Sequence, residues 1–390
     1  MDLPAFVQSQ WGLVFSLVTA VLLLLAGIYS YASGQRRAAH WLLGALVGGL
    51  VIAALWVQPL LPRILLLDGA ALAAVGLVWM QERKAGGLFL AAALAGSILV
   101  AGGLYAAGLL GGSTAQPAGG MDKLAIALLA VGFGLKLALV PFYFWLPPLA
   151  ENTSPMTAVL VIGVLDMAEL GELAALRGEA PWIFSGGAQA VWLGLALLSM
   201  FGGALMALAQ RSLRRMLAFS AIDDSGYLLL GILAGTPLGI GGALLGAVSH
   251  ALCKFLLFAA VGTAEKGLGQ KLTLDRRGLA GRFPVSAAAF IVGALGMVGV
   301  PPFLGWVGRW RLYLAGIDLG GWPLGLAMAA ASALAILYYV RAVHRVWLGA
   351  PESAQAGPEP RFVSGALVIV IILLVLAGLY LGFGPGMAIG

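Results

Sequence analysis

Residues 131–155 read VGFGLKLALVPFYFWLPPLAENTSP, and this stretch decides how the rest of the chain is read. It opens as an apolar helix and carries one lysine, Lys136. It breaks at Pro141 and leaves through Phe142-Tyr143-Phe144-Trp145 into Pro147-Pro148. A lysine at bilayer depth costs at least a few kcal/mol even after snorkelling, so such residues usually carry function. A proline in mid-helix frees backbone carbonyls, which a membrane tolerates only where protein or a wet cavity satisfies them. Together these features predict a hydrated site near mid-membrane with Lys136 as its titrating group.

The composition requires a bilayer. Of 390 residues 61% are hydrophobic and only 10% are charged, with mean hydropathy +1.01. That balance belongs to an all-α polytopic membrane protein. A single cysteine, Cys253, excludes an iron–sulfur cluster, a structural zinc or an intrachain disulfide built from this chain's cysteines alone. Scattered histidines (His40, His250, His344) argue against haem or a metal cage. The net charge of +6 is no nucleic-acid signal, because the basic residues flank apolar segments and form no stripe. The first apolar run is long and has no basic leader, so it reads as a true span and not as a cleaved signal.

With roughly 20 apolar residues per crossing, the chain divides into spans at 11–32, 39–61, 64–81, 86–110, 122–146, 155–176, 188–209, 215–235, 240–263, 284–316, 322–347 and 362–383. The fifth and tenth are broken. The one long polar connection, 264–282, holds Lys266, Lys271, Arg276, Arg277 and Arg282. Alternate loops share the basic residues: Arg36/Arg37, Arg83/Lys84, Arg211/Arg214/Arg215, that connection and Arg345/Arg361 lie on one side. Little more than Arg63, Lys123 and Arg177 lies on the other. The positive-inside rule makes the first side cytoplasmic and puts both termini outside. Trp11, Trp41, Trp56, Trp79, Trp145, Trp322 and Trp347 fall near span ends and read as an interfacial belt.

Pro141-Phe142-Tyr143-Phe144-Trp145 has an echo in Pro302-Phe303-Leu304-Gly305-Trp306, again at the break of an apolar helix and near a basic residue, Arg309. Paired broken helices in corresponding halves point to a repeat with a midplane pathway. Other charges interrupt the apolar segments. Asp68 opens the third span. Asp166, Glu169 and Glu172 step by three and share a face of the sixth, with Glu172 near its outer end. His250 and Lys254 stand at i and i+4 in the ninth, and Asp223-Asp224 lie one to two turns into the eighth. Removed from lipid, each needs a partner or water. A chain of such groups is what a proton or cation relay requires.

Four blocks then fit a known pattern in order: GLKLALVPFYFWLPPLAENTSPMTA, RSLRRMLAFSAIDDSGYLLLG, SHALCKFLLFAAVGTAEK and GALGMVGVPPFLGWVGRWRLY. They resemble the antiporter-like membrane subunits of respiratory complex I, of Mrp-type sodium/proton antiporters and of membrane-bound hydrogenases, over roughly residues 60–350. The resemblance implies two inverted five-helix repeats, each with a broken helix (at Pro141 and at Pro301-Pro302), and a central hydrophilic axis. It divides the chain into N-terminal helices (1–60), a first half (61–210), a second half (211–350) and a C-terminal helix (351–390). By this likeness Lys136 is the broken-helix lysine and Asp68 its acidic partner. His250 and Lys254 fall in the block of the second-half lysine, and Arg309 where the axis ends in a lysine or glutamate.

The chain also departs from the pattern. Two further N-terminal helices usual in the family are not expected here. The following helix normally carries a lysine where this chain has Leu165, Asp166 and Met167, so Asp166 or Glu169 takes over that step. Asp224 stands where members often have histidine or glutamine. The implied function is ion translocation, of protons before sodium, in the inner membrane, within a redox-driven complex of the NADH-quinone oxidoreductase or hydrogenase type. This chain then holds no cofactor and does no redox chemistry, and its partners are other membrane subunits and peripheral redox subunits. A Mrp-like antiporter or ion-coupled uptake subunit, and a degenerate scaffold subunit, are the alternatives.

Overall fold

The structure, a computed structural model, describes residues 10–35, 37–349 and 359–383, so Arg36 and both termini lie outside the described residues. The helices, in chain order, are α1 (Gly12–Ala32), α2 (Ala38–Trp56), α3 (Leu60–Trp79), α4 (Arg83–Ala106) and α5 (Met121–Lys136). A short α6 (Leu146–Asn152) and α7 (Pro155–Val159) follow, and α7 runs through a π-helical segment, Leu160–Leu165, into α8 (Asp166–Glu179). Next come α9 (Gly187–Ala209), α10 (Leu213–Ala234), α11 (Pro237–Leu268), α12 (Pro284–Val298), α13 (Leu304–Ala342) and α14 (Arg361–Phe383). Among the described residues nine helices are long and apolar enough to cross a membrane, α13 counting once. It is two helices in fact: helical geometry fails at Gly320 and Gly321, where Gly321 has φ +69° and Pro323 follows.

Several boundaries move from the expected ones. The second span stops at Trp56, because α3 already begins at Leu60 with Pro62 in its first turn, where a missing N–H costs nothing. Asp68 therefore does not open α3 but lies more than two turns inside it. The long connection after α11 is shorter than expected, since α11 runs on to Leu268 and ends on Gly269 at φ +67°.

At the first break α5 stops at Lys136 itself, before the proline, so the lysine ends the helix. Residues 137–145 are not helical. The released backbone groups find partners within protein, as a low-dielectric setting demands: Val140 N–H donates to Ser199 Oγ (3.0 Å) and Trp145 Nε1 to Leu135 O (2.9 Å). Ala138 is held at φ +51°, a conformation that costs a non-glycine residue on the order of 1 kcal/mol or more. Trp145 is thus no interfacial anchor: it is 1% exposed and stacks on Phe89 at 4.7 Å between ring centroids. Trp347 is likewise buried, whereas Trp56, Trp79 and Trp322 are exposed and suit the belt.

The second break runs from Gly299 to Phe303, between α12 and α13. Helix α14 lies directly on it: a Cβ at Gly378 would stand 2.0 Å from Pro302 O and 2.7 Å from Leu304 N. Gly378→Ala is therefore expected to destabilise the protein by about 1–3 kcal/mol through backbone overpacking. Gly365→Ala on the same helix meets nothing within 4 Å and should be neutral. Thermal unfolding in detergent distinguishes the two; equal midpoints would show that α14 does not brace the break.

The two helices most enclosed by the rest are α10 and α11, buried along almost their whole length, while the peripheral helices each keep a lipid-facing side. Small residues let α9 and α10 approach closely: a Cβ at Gly203 would meet Asp223 N at 2.4 Å, and one at Gly226 would meet Ala196 O at 2.6 Å. The helices that carry Ser220, Asp223, Asp224, His250 and Lys254 are thus those furthest from lipid.

Candidate functional site: buried charges between the breaks

Ending α5 at Lys136 aims its side chain into the bundle. Its Nζ donates to Asp68 Oδ1 on α3 (2.7 Å) and to Glu169 Oε1 on α8 (2.8 Å). Ser97 on α4 donates to the same Asp68 oxygen at 2.7 Å. Two carboxyl groups thus share one amine in a buried place. The other oxygen of Glu169, Oε2, is buried without a hydrogen-bond partner. Asp166 lies one turn earlier on α8, lines the same small cavity and stays out of contact with Lys136. Its helix packs on α11 about one turn earlier, where a Cβ at Gly163 would stand 3.4 Å from Ala251.

Lys254 has a different setting. It is 0% exposed, and its Nζ donates to Ser220 Oγ (2.6 Å) and Leu217 O (2.9 Å), with no ion pair among the described residues. Tyr339 on the returning part of α13 donates to Ser220 at 3.2 Å. One turn before Lys254, His250 Nδ1 meets Asp224 Oδ2 at 2.8 Å. The other oxygen of Asp224 accepts from Arg309 Nη2 at 2.6 Å, and that same nitrogen donates to Met297 O at 2.7 Å. The guanidinium lies 3.8 Å from the ring centroid of Tyr227. Arg309 therefore ties the last turn of α12 to α10 across the second break.

The structure brings Asp68, Lys136 and Glu169 into one cluster, and Asp224, His250 and Arg309 into another. Asp166 lines the cavity of the first cluster, and Lys254 stands one helical turn from His250 of the second. Asp223 and Asp224 mark no helix end; both are buried in mid-α10 and point different ways, Asp223 accepting from Tyr338 at 3.0 Å. Glu172 does not lie at an interface either: it is buried and held by Arg63, with Nε at 2.6 Å and Nη2 at 3.1 Å from its two oxygens. Sequence reasoning missed Arg63 because its place beside Pro62 reads as a loop, and missed Tyr338 and Tyr339 because tyrosine is ordinary in an apolar span. The signal was there: a tyrosine hydroxyl inside a bilayer needs a partner. Among the described residues no group of three or more His, Cys, Asp or Glu is placed to hold a metal ion.

The segment containing both breaks and every one of these charges except Arg63 and Asp68 carries the match that identifies it. The model of the NADH:quinone oxidoreductase/Mrp antiporter transmembrane family matches residues 72–335. The chain belongs to that family. It is a multi-pass membrane protein, and it is 33% identical over 242 residues to NADH-quinone oxidoreductase subunit N of Desulforudis audaxviator (strain MP104C), covering 61% of this chain and 48% of the relative. The chain thus spans about half the length of the curated relatives it matches. Its fold is that of a chain in respiratory complex I from Thermus thermophilus (TM-score 0.85, 24% identity, covering 96% of this chain and 81% of that one). A chain of the Mrp complex from Dietzia sp. DQ12-45-1b is similarly close (TM-score 0.83, 22% identity, covering 97% and 81%). These neighbours are subunits of multisubunit membrane complexes.

Proposed function

We propose that the chain is a proton-translocating membrane subunit of a redox-driven complex of the NADH-quinone oxidoreductase type. On this reading the chain crosses the membrane about twelve times, with two inverted five-helix halves, at 61–210 and 211–350, and both termini outside the cytoplasm. The observation that carries this reading is the contrast between two buried amines: Lys136 held by two carboxylates, Lys254 by a hydroxyl and a carbonyl alone. Asp166 lines the cavity that Lys136 and Glu169 share, on a helix whose preceding turn packs against α11 at Ala251, one turn before Lys254. A charge arriving at one cluster then alters the cost of a charge at the other, which is the coupling a relay needs. Protons suit the path better than sodium, because a hard cation seeks several oxygen ligands and Asp68, Glu172, Asp224 and one oxygen of Glu169 already hold ammonium or guanidinium groups.

The test uses the complex purified through a tag on this chain. Redox subunits should co-purify, and substrate oxidation in proteoliposomes should acidify or alkalinise the lumen. Lys254→Met, which keeps the stem and removes only the ammonium, should leave assembly intact and reduce that pH change to the level of empty vesicles. Undiminished pH change with Lys254→Met would overturn the relay.

A further inference from the structure

The mechanism above leaves one buried group of charges unused. Arg63, on the first turn of α3, holds Glu172 through two nitrogens and also reaches Glu179 Oε1 at 3.3 Å. Glu172 is buried, but the Glu179 side chain is 28% exposed. All three lie towards the end of the bundle that carries Trp11 and Trp56, away from the Arg211–Arg215 loop. On α8 the acids Asp166, Glu169 and Glu172 are spaced at three residues, so they share one face. Glu179 lies about 15 Å beyond Glu169 along the axis.

Two further observations make this more than an acidic cluster. Glu169 Oε2, more than nine-tenths buried, has no partner, although its twin oxygen is bonded to Lys136. Cavities with room for about one or two waters lie on both sides: one lined by Lys136, Asp166 and Glu169, the other by Arg63, Ala168, Gly171 and Glu172. Glu169 lines the first and Glu172 the second, three residues apart on α8.

We infer that this face of α8 is a second outlet from the Lys136 cluster and that Arg63 is its gate, a role that rests on the relay reading. In the structure Arg63 bridges the two acids, Nη2 donating to Oε1 of Glu172 and of Glu179 while Nε lies 2.6 Å from Glu172 Oε2. With its charge on Glu172, a proton handed from Lys136 to Glu169 stops there. When the guanidinium lets go of Glu172 and keeps only Glu179, which it already touches, Glu172 is released. A proton then moves from Glu169 to Glu172, restoring the Glu169 carboxylate for Lys136, and leaves past Glu179. Each step transfers one proton between an acid and a base already present. Arg63 holds its own charge throughout, as arginine does at any working pH, so it gates without carrying. It is a positioning residue.

The experiment imposes a pH gradient on proteoliposomes of the whole complex with no redox substrate and follows its decay. Arg63→Gln frees Glu172 and should raise the leak at least about tenfold, since breaking a buried ion pair on one side leaves the carboxylate to take up protons. The leak should vanish in Arg63→Gln with Glu172→Gln, and in Arg63→Gln with Lys136→Met. A tight Arg63→Gln complex, or a leak that persists in either double variant, would overturn the gate. Should Arg63→Gln fail to assemble, Glu179→Gln decides: with the alternative partner weakened, coupled transport should slow several-fold, and unchanged transport would overturn the proposal. A Lys136→Met complex that pumps normally removes the relay itself. A dead Lys136→Met beside a tight Arg63→Gln removes only the gate.

Discussion

Lys136→Met is expected to abolish coupled proton movement in the assembled complex, leaving only the pH change of empty vesicles. Methionine keeps the unbranched stem that packs at the end of α5, so the cavity wall survives. What disappears is the ammonium shared by Asp68 and Glu169. Those two carboxylates then face each other without a cation, and the cheapest remedy is to bind a proton between them. A proton bound there cannot be passed to the amine, so the pathway is cut at its most charged point.

Methionine alone leaves open whether the loss comes from missing charge or missing titration, and Lys136→Arg separates the two. Arginine retains a cation for both acids but does not release its proton at working pH. The arginine variant should therefore assemble as well as the native chain, keep its thermal stability more fully than the methionine variant, and still fail to pump. Coupled pH change at native rates in either variant, measured in proteoliposomes of the whole complex, would move this protein from the relay to the scaffold reading.

The largest effect on stability is expected at Arg309. Its Nη2 bonds both to Asp224 and to the carbonyl of Met297, and its guanidinium lies on the Tyr227 ring. One side chain thus joins α10, the end of α12 and the start of α13, where the second break leaves no continuous helix. Removing one member of a buried ion pair costs about 3–5 kcal/mol, and a desolvated cation–π contact adds on the order of 2 kcal/mol. His250 softens the loss, since it also holds Asp224. Arg309→Ala should therefore lower the thermal midpoint in detergent more than any variant above. Arg309→Lys should recover part of it, keeping the charge but losing the planar group that reaches carboxylate, carbonyl and ring together. An alanine variant as stable as the native chain would show that the breaks are held by packing alone.

Much of this was legible in the linear chain, for reasons that differ by feature. The bilayer imposes a length of about 20 apolar residues per crossing, so most long helices could be located from hydropathy, with errors of about a turn at ends such as Trp56, Leu60 and Leu268. Of the twelve expected spans, those at 122–146, 155–176 and 284–316 are not continuous helices of that length among the described residues. A lysine or histidine within an apolar run is conspicuous because burying it is expensive; Lys136, His250 and Lys254 stood out on that ground alone. Prolines inside such runs marked both breaks, because proline can neither donate nor clear the preceding turn. Four ordered blocks then pointed to the family.

Only the tertiary structure decided which charge meets which. Partners come from helices far apart in the chain: Arg63 and Glu172 are 109 residues apart, Asp224 and Arg309 85. No local pattern encodes those meetings. Asp223 and Asp224 are neighbours in sequence, yet about 100° of helix rotation sends one to Tyr338 and the other to His250 and Arg309. Asp68 and Glu169 could each be proposed for Lys136, but that both hold it at once follows from how α3, α5 and α8 pack. The absence of any carboxylate beside Lys254 among the described residues has the same origin. The sequence records the cost of burying each charge, because that cost is a property of the residue and its apolar surroundings. Whether the cost is met by an opposite charge, a hydroxyl or a carbonyl depends on which helix faces are brought together, and that is settled only when the bundle closes.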